Sequence, residues 1–130
     1  MVRYKNKIII ALMVVMVVVL SSIPVYAEAT GSSFMDAITF KIGKWKTNKS
    51  QSYTFYYKTK TGKRGKYTFT LKNPEDIYST QVVLYDADYH VIMSEKTVQP
   101  GETLKKKLKL GKKKWYYIKV TGHCKFKLKK

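Results

Sequence analysis

Apolar and polar residues alternate with a period of two along most of this chain from residue 38 onward. Ile38, Phe40 and Ile42 alternate with Thr39 and Lys41. Tyr53, Phe55 and Tyr57 alternate with Thr54 and Tyr56, and Tyr67, Phe69 and Leu71 with Lys66, Thr68 and Thr70. Thr80 to Tyr85 is apolar on both parities, which suits a central strand covered on both faces. Val91 and Met93 mark a short strand. Leu104, Leu108 and Leu110 share a parity with Lys106, while Lys105, Lys107 and Lys109 take the other. Tyr116, Ile118 and Val120 alternate with Tyr117, Lys119 and Thr121, and Cys124, Phe126 and Leu128 with Lys125, Lys127 and Lys129. A period of two places successive side chains on opposite faces of a strand, and no segment of this part of the chain sustains a helical stripe.

Turn residues punctuate these runs at Gly62–Gly65, Asn73-Pro74, Asp86-Ala87-Asp88, Pro100-Gly101, Gly111 and Gly122. Short strands separated by turns at this spacing predict an all-β fold: a jelly-roll-like antiparallel β-sandwich of about 7–9 strands. The expected core is Phe40, Phe55, Phe69, Leu84, Ile118, Val120 and Phe126, with Trp45 and Trp115 as further core material.

The N-terminus has a different pattern. Arg3, Lys5 and Lys7 precede an unbroken apolar run of thirteen residues, Ile8 to Leu20. Ser21 to Pro24 end it, and Val25-Tyr26-Ala27 places small residues where signal peptidase requires them. A spanning helix needs roughly 20 apolar residues, so the run is read as a cleaved signal peptide. No Cys follows it to take a lipid. The expected organisation is a signal peptide over 1–27, a flexible lead-in over 28–37 and a β-sandwich domain over 38–130. The product is expected to be secreted or extracellular, associated with the cell surface, with no catalytic domain preceding the module.

The charge is strongly one-sided. The chain carries 26 Lys and Arg against eight Asp and Glu. Cleavage after Ala27 removes three cations and no acid, leaving a net charge of +15. Only Arg3 and Arg64 are arginines. Lysine is a mobile point charge without the planar fork of arginine, which favours diffuse attraction to anions over shaped recognition of one phosphate. Lys105, Lys107 and Lys109 line one face of a strand and Lys125, Lys127 and Lys129 one face of another, while Lys112, Lys113 and Lys114 crowd a turn. These nine are the candidate anion-binding residues. No acid follows Glu102 to cancel them in sequence. A solvated face that blocks strand addition at sheet edges explains the same residues without any ligand. Tyr56, Tyr78 and Tyr117 are candidate exposed aromatics for stacking.

Catalysis finds little support. Neither G-x-S-x-G nor H-E-x-x-H occurs, and the two histidines are His90 and His123. His123 and Cys124 suggest a base and a nucleophile, but adjacent residues of a regular strand point to opposite faces. Cys124 is the single cysteine, so no intramolecular disulfide forms, and it reads as a small core residue. Asp86 and Asp88, with Glu75 and Asp76, are weak calcium candidates if their loops converge. Calcium wants six to eight oxygens, and ordinary turn chemistry explains the same acids. No metal site and no cofactor are expected.

The second half carries a more specific signature. Val82 to Ile92 reads VVLYDADYHVI, and Pro100 to Gly122 reads PGETLKKKLKLGKKKWYYIKVTG before a final FKLK strand. This resembles the pre-peptidase C-terminal domain family, mainly over residues 67–128. The resemblance implies a jelly-roll-like sandwich of secreted bacterial proteins, often appended to proteases and used in binding or secretion. Two departures stand out. Asp88 and Tyr89 occupy a turn that is usually Gly, where Asp tolerates positive φ better than Tyr. Asn48-Lys49-Ser50-Gln51-Ser52 stands where related modules carry acids, so no metal role transfers. The expected function is therefore a non-catalytic binding module that holds anionic polymers, such as cell wall or acidic glycan, through its lysines. The alternative is a small structural protein that docks a protein partner and uses its lysines for solubility. No specific nucleic-acid motif is present.

Overall fold

The computed structural model describes residues 29–130, so the signal peptide and its cleavage site lie outside the described residues. Nine strands form and, among the described residues, no helix. They are β1 (Ile38–Thr39), β2 (Lys46–Asn48), β3 (Thr54–Lys60), β4 (Gly65–Lys72), β5 (Thr80–Tyr85), β6 (Val91–Val98), β7 (Thr103–Leu110), β8 (Trp115–Thr121) and β9 (Cys124–Lys129). One sheet runs β1-β3-β8-β5-β6 and the other β2-β9-β4-β7.

The topology is that of a long antiparallel ribbon rolled up. β5 pairs with β6, β4 with β7, β3 with β8 and β2 with β9, so the pairing nests outward from the turn at Asp86. From β2 to β5 and from β6 to β9 the partners alternate between sheets, which is the jelly-roll arrangement. β1 is an addition, pairing parallel to β3 through Ile38 and Tyr57.

The inner parities of the two sheets meet in one core. Phe40, Phe69, Leu84, Ile118, Val120 and Phe126 are buried there as expected, while Phe55 is half-buried against its margin. Phe126 is the hub: its ring centroid lies 5.2 Å from Phe40, 4.9 Å from Tyr57 and 6.2 Å from Phe69. The tryptophans depart from expectation. Trp45 is exposed and Trp115 half-buried, and neither belongs to the buried core, because each lies on the outward parity of its strand or flank.

Two buried asparagines supply what the apolar pattern does not. The Asn48 amide donates to the Gly122 carbonyl at 2.8 Å, and its oxygen accepts from the Tyr57 hydroxyl at 2.9 Å. Asn73 donates to the carbonyls of Tyr78 and Val98 and accepts from the Glu75 amide. Both therefore bury their polar groups satisfied, the condition for burial to be tolerated. Gly122 takes φ +116°, and a side chain there would lie 2.9 Å from the Ser79 carbonyl oxygen. Only glycine fits both constraints.

β6 runs eight residues, longer than the short strand that Val91 and Met93 suggest. It is an edge strand, so its polar stretch Ser94 to Thr97 faces solvent while the backbone ladder to β5 persists through two register shifts, one between Val82 and Leu84 and one between Leu84 and Tyr85.

Residues 29–37 form no strand. The segment is pinned by the Tyr56 amide donating to Gly31 at 2.7 Å, and Thr30 donates to the Asp36 carboxylate. Its Phe34 ring packs on Tyr56, Tyr85, Tyr89 and Tyr117 at centroid distances of 4.6–5.6 Å. Tyr56 and Tyr117 are thus half-buried beneath Phe34 and are not free stacking platforms; Tyr78 is exposed. The same cluster accounts for the turn residue with positive φ. It is Tyr89, at +64°, rather than Asp88, and its ring contacts with Phe34 and Tyr117 accompany this conformation.

Candidate functional site

The four-stranded sheet presents an outer face built almost wholly from Lys and Thr. Its outward positions are Thr47 on β2, Lys125, Lys127 and Lys129 on β9, Lys66, Thr68, Thr70 and Lys72 on β4, and Thr103, Lys105, Lys107 and Lys109 on β7. The strand registers align them in rows. Thr47, Lys125, Lys72 and Thr103 form one; Lys127, Thr70 and Lys105 the next; then Lys129, Thr68 and Lys107; then Lys66 and Lys109. Adjacent strands lie about 4.8 Å apart and outward residues of one strand about 6.8 Å apart. The face is therefore a lattice of ammonium groups on a rigid backbone.

Six of the nine lysines singled out by sequence share this face. Lys112, Lys113 and Lys114 do not; they form the β7–β8 turn, at the end of the sandwich beyond Lys109. There the Lys113 amide donates to Gly62 and the Thr61 hydroxyl to Gly111, tying the turn to the β3–β4 turn with its Lys63 and Arg64. The face also recruits Lys66 and Lys72, which the alternation of GKYTFTLK already placed on one parity but which isolated charges on a mixed strand did not advertise.

Three observations set this face apart. No acid lies on β2, β4, β7 or β9. Among the described residues, the salt bridges involve only histidines, so no lysine is neutralised by an ion pair. Lys72 is directly opposite Lys125, and Lys66 opposite Lys109. Like charges facing each other across a ladder destabilise a sheet. Protection of edges does not account for Lys125, which is paired on both sides, with Thr47 on β2 and Lys72 on β4.

Trp45 completes the face. It precedes β2 on the outward parity, and the pairing of Lys46 with Phe126 sets it beside Lys127. The ammonium nitrogens of Lys127, Lys125 and Lys72 lie 4.6, 5.0 and 5.2 Å from its ring centre. Sequence alone offers this residue as core material; nothing but strand register distinguishes an inward from an outward tryptophan at a short strand.

The catalytic and metal candidates separate. Cys124 is fully buried, and burial pushes its thiol up to about 12, so no thiolate forms at neutral pH. His123 instead points to the β4–β5 loop, where its Nδ1 lies 2.7 Å from Glu75 Oε1; Glu75 also accepts from Gln51 at 3.0 Å. Asp86 and Asp88 sit at the far end of β5 from Glu75 and Asp76, so the four acids do not converge. Asp86 Oδ1 accepts from the amides of Asp88 and His90, both at 2.9 Å, which is turn chemistry. Asp86, Asp88 and His90 do group within 4.8 Å, but they supply too few oxygens to satisfy calcium by themselves.

These contacts make a pH prediction. Hydrogen bonds from Thr30, His123 and the His90 amide hold the Asp36, Glu75 and Asp86 carboxyls below their ordinary values. A carboxylate depressed in the folded state stabilises it above the unfolded carboxylate range, around pH 4, and that contribution is lost as pH falls through the folded values. The urea midpoint should therefore drop on going from pH 6 to pH 3. Glu75→Gln should narrow the difference by lowering the midpoint at pH 6, and an unchanged midpoint would contradict the role given to these bonds.

The sequence matches the family described as bacterial phospholipase C, C-terminal domain, over residues 25–128. No curated protein matches it. Among solved structures, the pre-peptidase C-terminal domain of a collagenase from Bacillus anthracis is similar at 14% identity, over 72% of this chain and 92% of that domain, with a TM-score of 0.49.

Proposed function

This chain belongs to the family of bacterial phospholipase C C-terminal domains, and from that premise we propose that it is a secreted, non-catalytic module that binds anionic polymers at or outside the cell surface. The family is one of accessory domains, which agrees with the buried Cys124 thiol and with the engagement of His123 by Glu75. The observation that carries the reading is the acid-free face of eight lysines on the four-stranded sheet, with two directly opposed lysine pairs. An unneutralised lattice costs the isolated fold stability, and a bound polyanion offsets that cost. The ligands in view are wall polymers and acidic glycans, met as repeating anions rather than as one shaped group.

Because lysine acts as a point charge, binding should be screened within a Debye length of about 8 Å at physiological salt. The test is binding of the mature chain to immobilised polygalacturonate and polyphosphate across a salt series. Affinity should fall steeply and linearly on a logarithmic plot, as counterion release requires. Retention of a partner at high salt, with no polyanion held at low salt, would instead favour docking of a protein through the exposed apolar residues Tyr53, Ile77 and Tyr78.

A further inference from the structure

A lattice of lysines alone attracts any polyanion, whereas Trp45 gives one corner of it a shape. The indole is 40% exposed, an uncommon position for so large an apolar ring. It is held in place by the short β2 ladder, in which Lys46 pairs with Phe126 and Thr47 with Lys125, and by the turn before it, where Gly43 donates to the Leu128 carbonyl at 2.8 Å. Around it stand three ammonium groups, those of Lys72, Lys125 and Lys127, within 5.2 Å of the ring centre and with no carboxylate on any strand of the sheet.

We propose that Trp45 with Lys72, Lys125 and Lys127 forms a discrete subsite for one acidic pyranose ring of an anionic glycan, a uronate unit being the chemical class. The proposal rests on the polyanion reading above and narrows its ligand.

An indole beside cations matches a sugar acid in two ways. The C–H face of a pyranose is apolar and flat and packs on an aromatic ring, and its carboxylate draws off the three ammonium groups that lie over the unliganded indole. Cation–π attraction from the three lysines keeps the indole lying among them rather than turned out to solvent. A single ring suits one stacked unit, with the neighbouring units of the chain running over Lys105, Lys107 and Lys129 as charge contacts only. Single-stranded nucleic acid is less well matched. Its sites use several aromatics for successive bases, and no second aromatic lies at an outward position on the strands of this sheet. Phosphate recognition by a planar fork is also missing, since no arginine lies on the face.

The test compares the mature chain with Trp45→Ala and Trp45→Phe on three probes: polygalacturonate, linear polyphosphate and oligothymidylate, at one low salt concentration. Circular dichroism first establishes that each variant keeps its β spectrum. Trp45→Ala should lose roughly 5–10-fold in affinity for polygalacturonate, the scale of one aromatic contact, and less than roughly 2-fold for polyphosphate. Trp45→Phe should retain most of the difference between the two. Equal losses on both polymers would mean that Trp45 only arranges the lysines; the subsite would fall while the polyanion reading stood. A selective loss on oligothymidylate would assign the ring to bases and overturn the glycan assignment. If the parent binds none of the three probes, the broader reading fails, and the subsite with it.

Discussion

Phe126→Ala should destabilise the domain by about 3–5 kcal/mol, enough to unfold much of it in mild urea. Phe126 is fully buried on β9, and its ring touches Phe40, Tyr57 and Phe69, so one side chain joins β3, β4, β9 and the segment after β1. Truncation leaves a void between two sheets whose separation is fixed by their own hydrogen-bond ladders. Neither sheet can move in to fill it, and the cost should lie toward the upper end for a large-to-small change. The measurement is the urea midpoint with its slope, alongside Tyr53→Ala as a control. Tyr53 is 73% exposed, and its loss should stay within about 0.5 kcal/mol. Similar midpoints for the two variants would show that Phe126 is not the centre of the core.

The largest effect on binding should come from replacing Lys105, Lys107, Lys125 and Lys127 by Gln. The four lie on β7 and β9 on either side of β4, and Thr70 links Lys105 and Lys127 in one row. A cation beside an anionic surface contributes about 1 kcal/mol, less where its neighbours already compete for the same anions. Four losses should then weaken polymer binding by roughly 100-fold at low salt. The slope against salt should also flatten by about 3, the share of four released counterions on a flexible chain. Stability should not fall with affinity. Lys125 faces Lys72 across the ladder, so neutralising it relieves a like-charge pair, and the melting temperature should be unchanged or higher. Loss of binding with rising stability is the signature of a functional charge array. If the variant holds wall polymer as well as the parent does at low salt, the lysines are a solvated face and docking of a protein partner becomes the better account.

The strands themselves were legible because this fold buries one face of nearly every strand. Where a strand has a wet and a dry side, the alternation of GKYTFTLK or CKFKLK states both its conformation and its inner face. The reading faltered where that contrast disappears. β2 is three residues of Lys, Thr and Asn, and its buried member is polar. Asn48 counts as core only because Tyr57 and Gly122, distant in sequence, supply its hydrogen-bond partners. β6 hid half its length in a polar run because an edge strand needs only one partner. Residues 29–37 have no period at all, yet Phe34 finds four tyrosines there, a contact that depends on which strands happen to lie side by side.

The candidate site divides along the same line. Each lysine row on β7 and β9 could be assigned to an outward face from local alternation, because the side-chain period within one strand is a property of the backbone. That the two rows belong to one surface could not be, since β7 and β9 are joined only through β4, and pairing between strands is decided by how both sheets close over a shared core. The same closure brought Lys66 and Lys72 between the rows, set Trp45 beside Lys127, and sent Lys112 to Lys114 to a turn. It also parted Asp86 and Asp88 from Glu75 and Asp76, by placing them at opposite ends of one strand. Local chemistry settles which way a residue points; the long-range register settles what stands next to it, and for a surface that acts through the spacing of its charges the second is the one that matters.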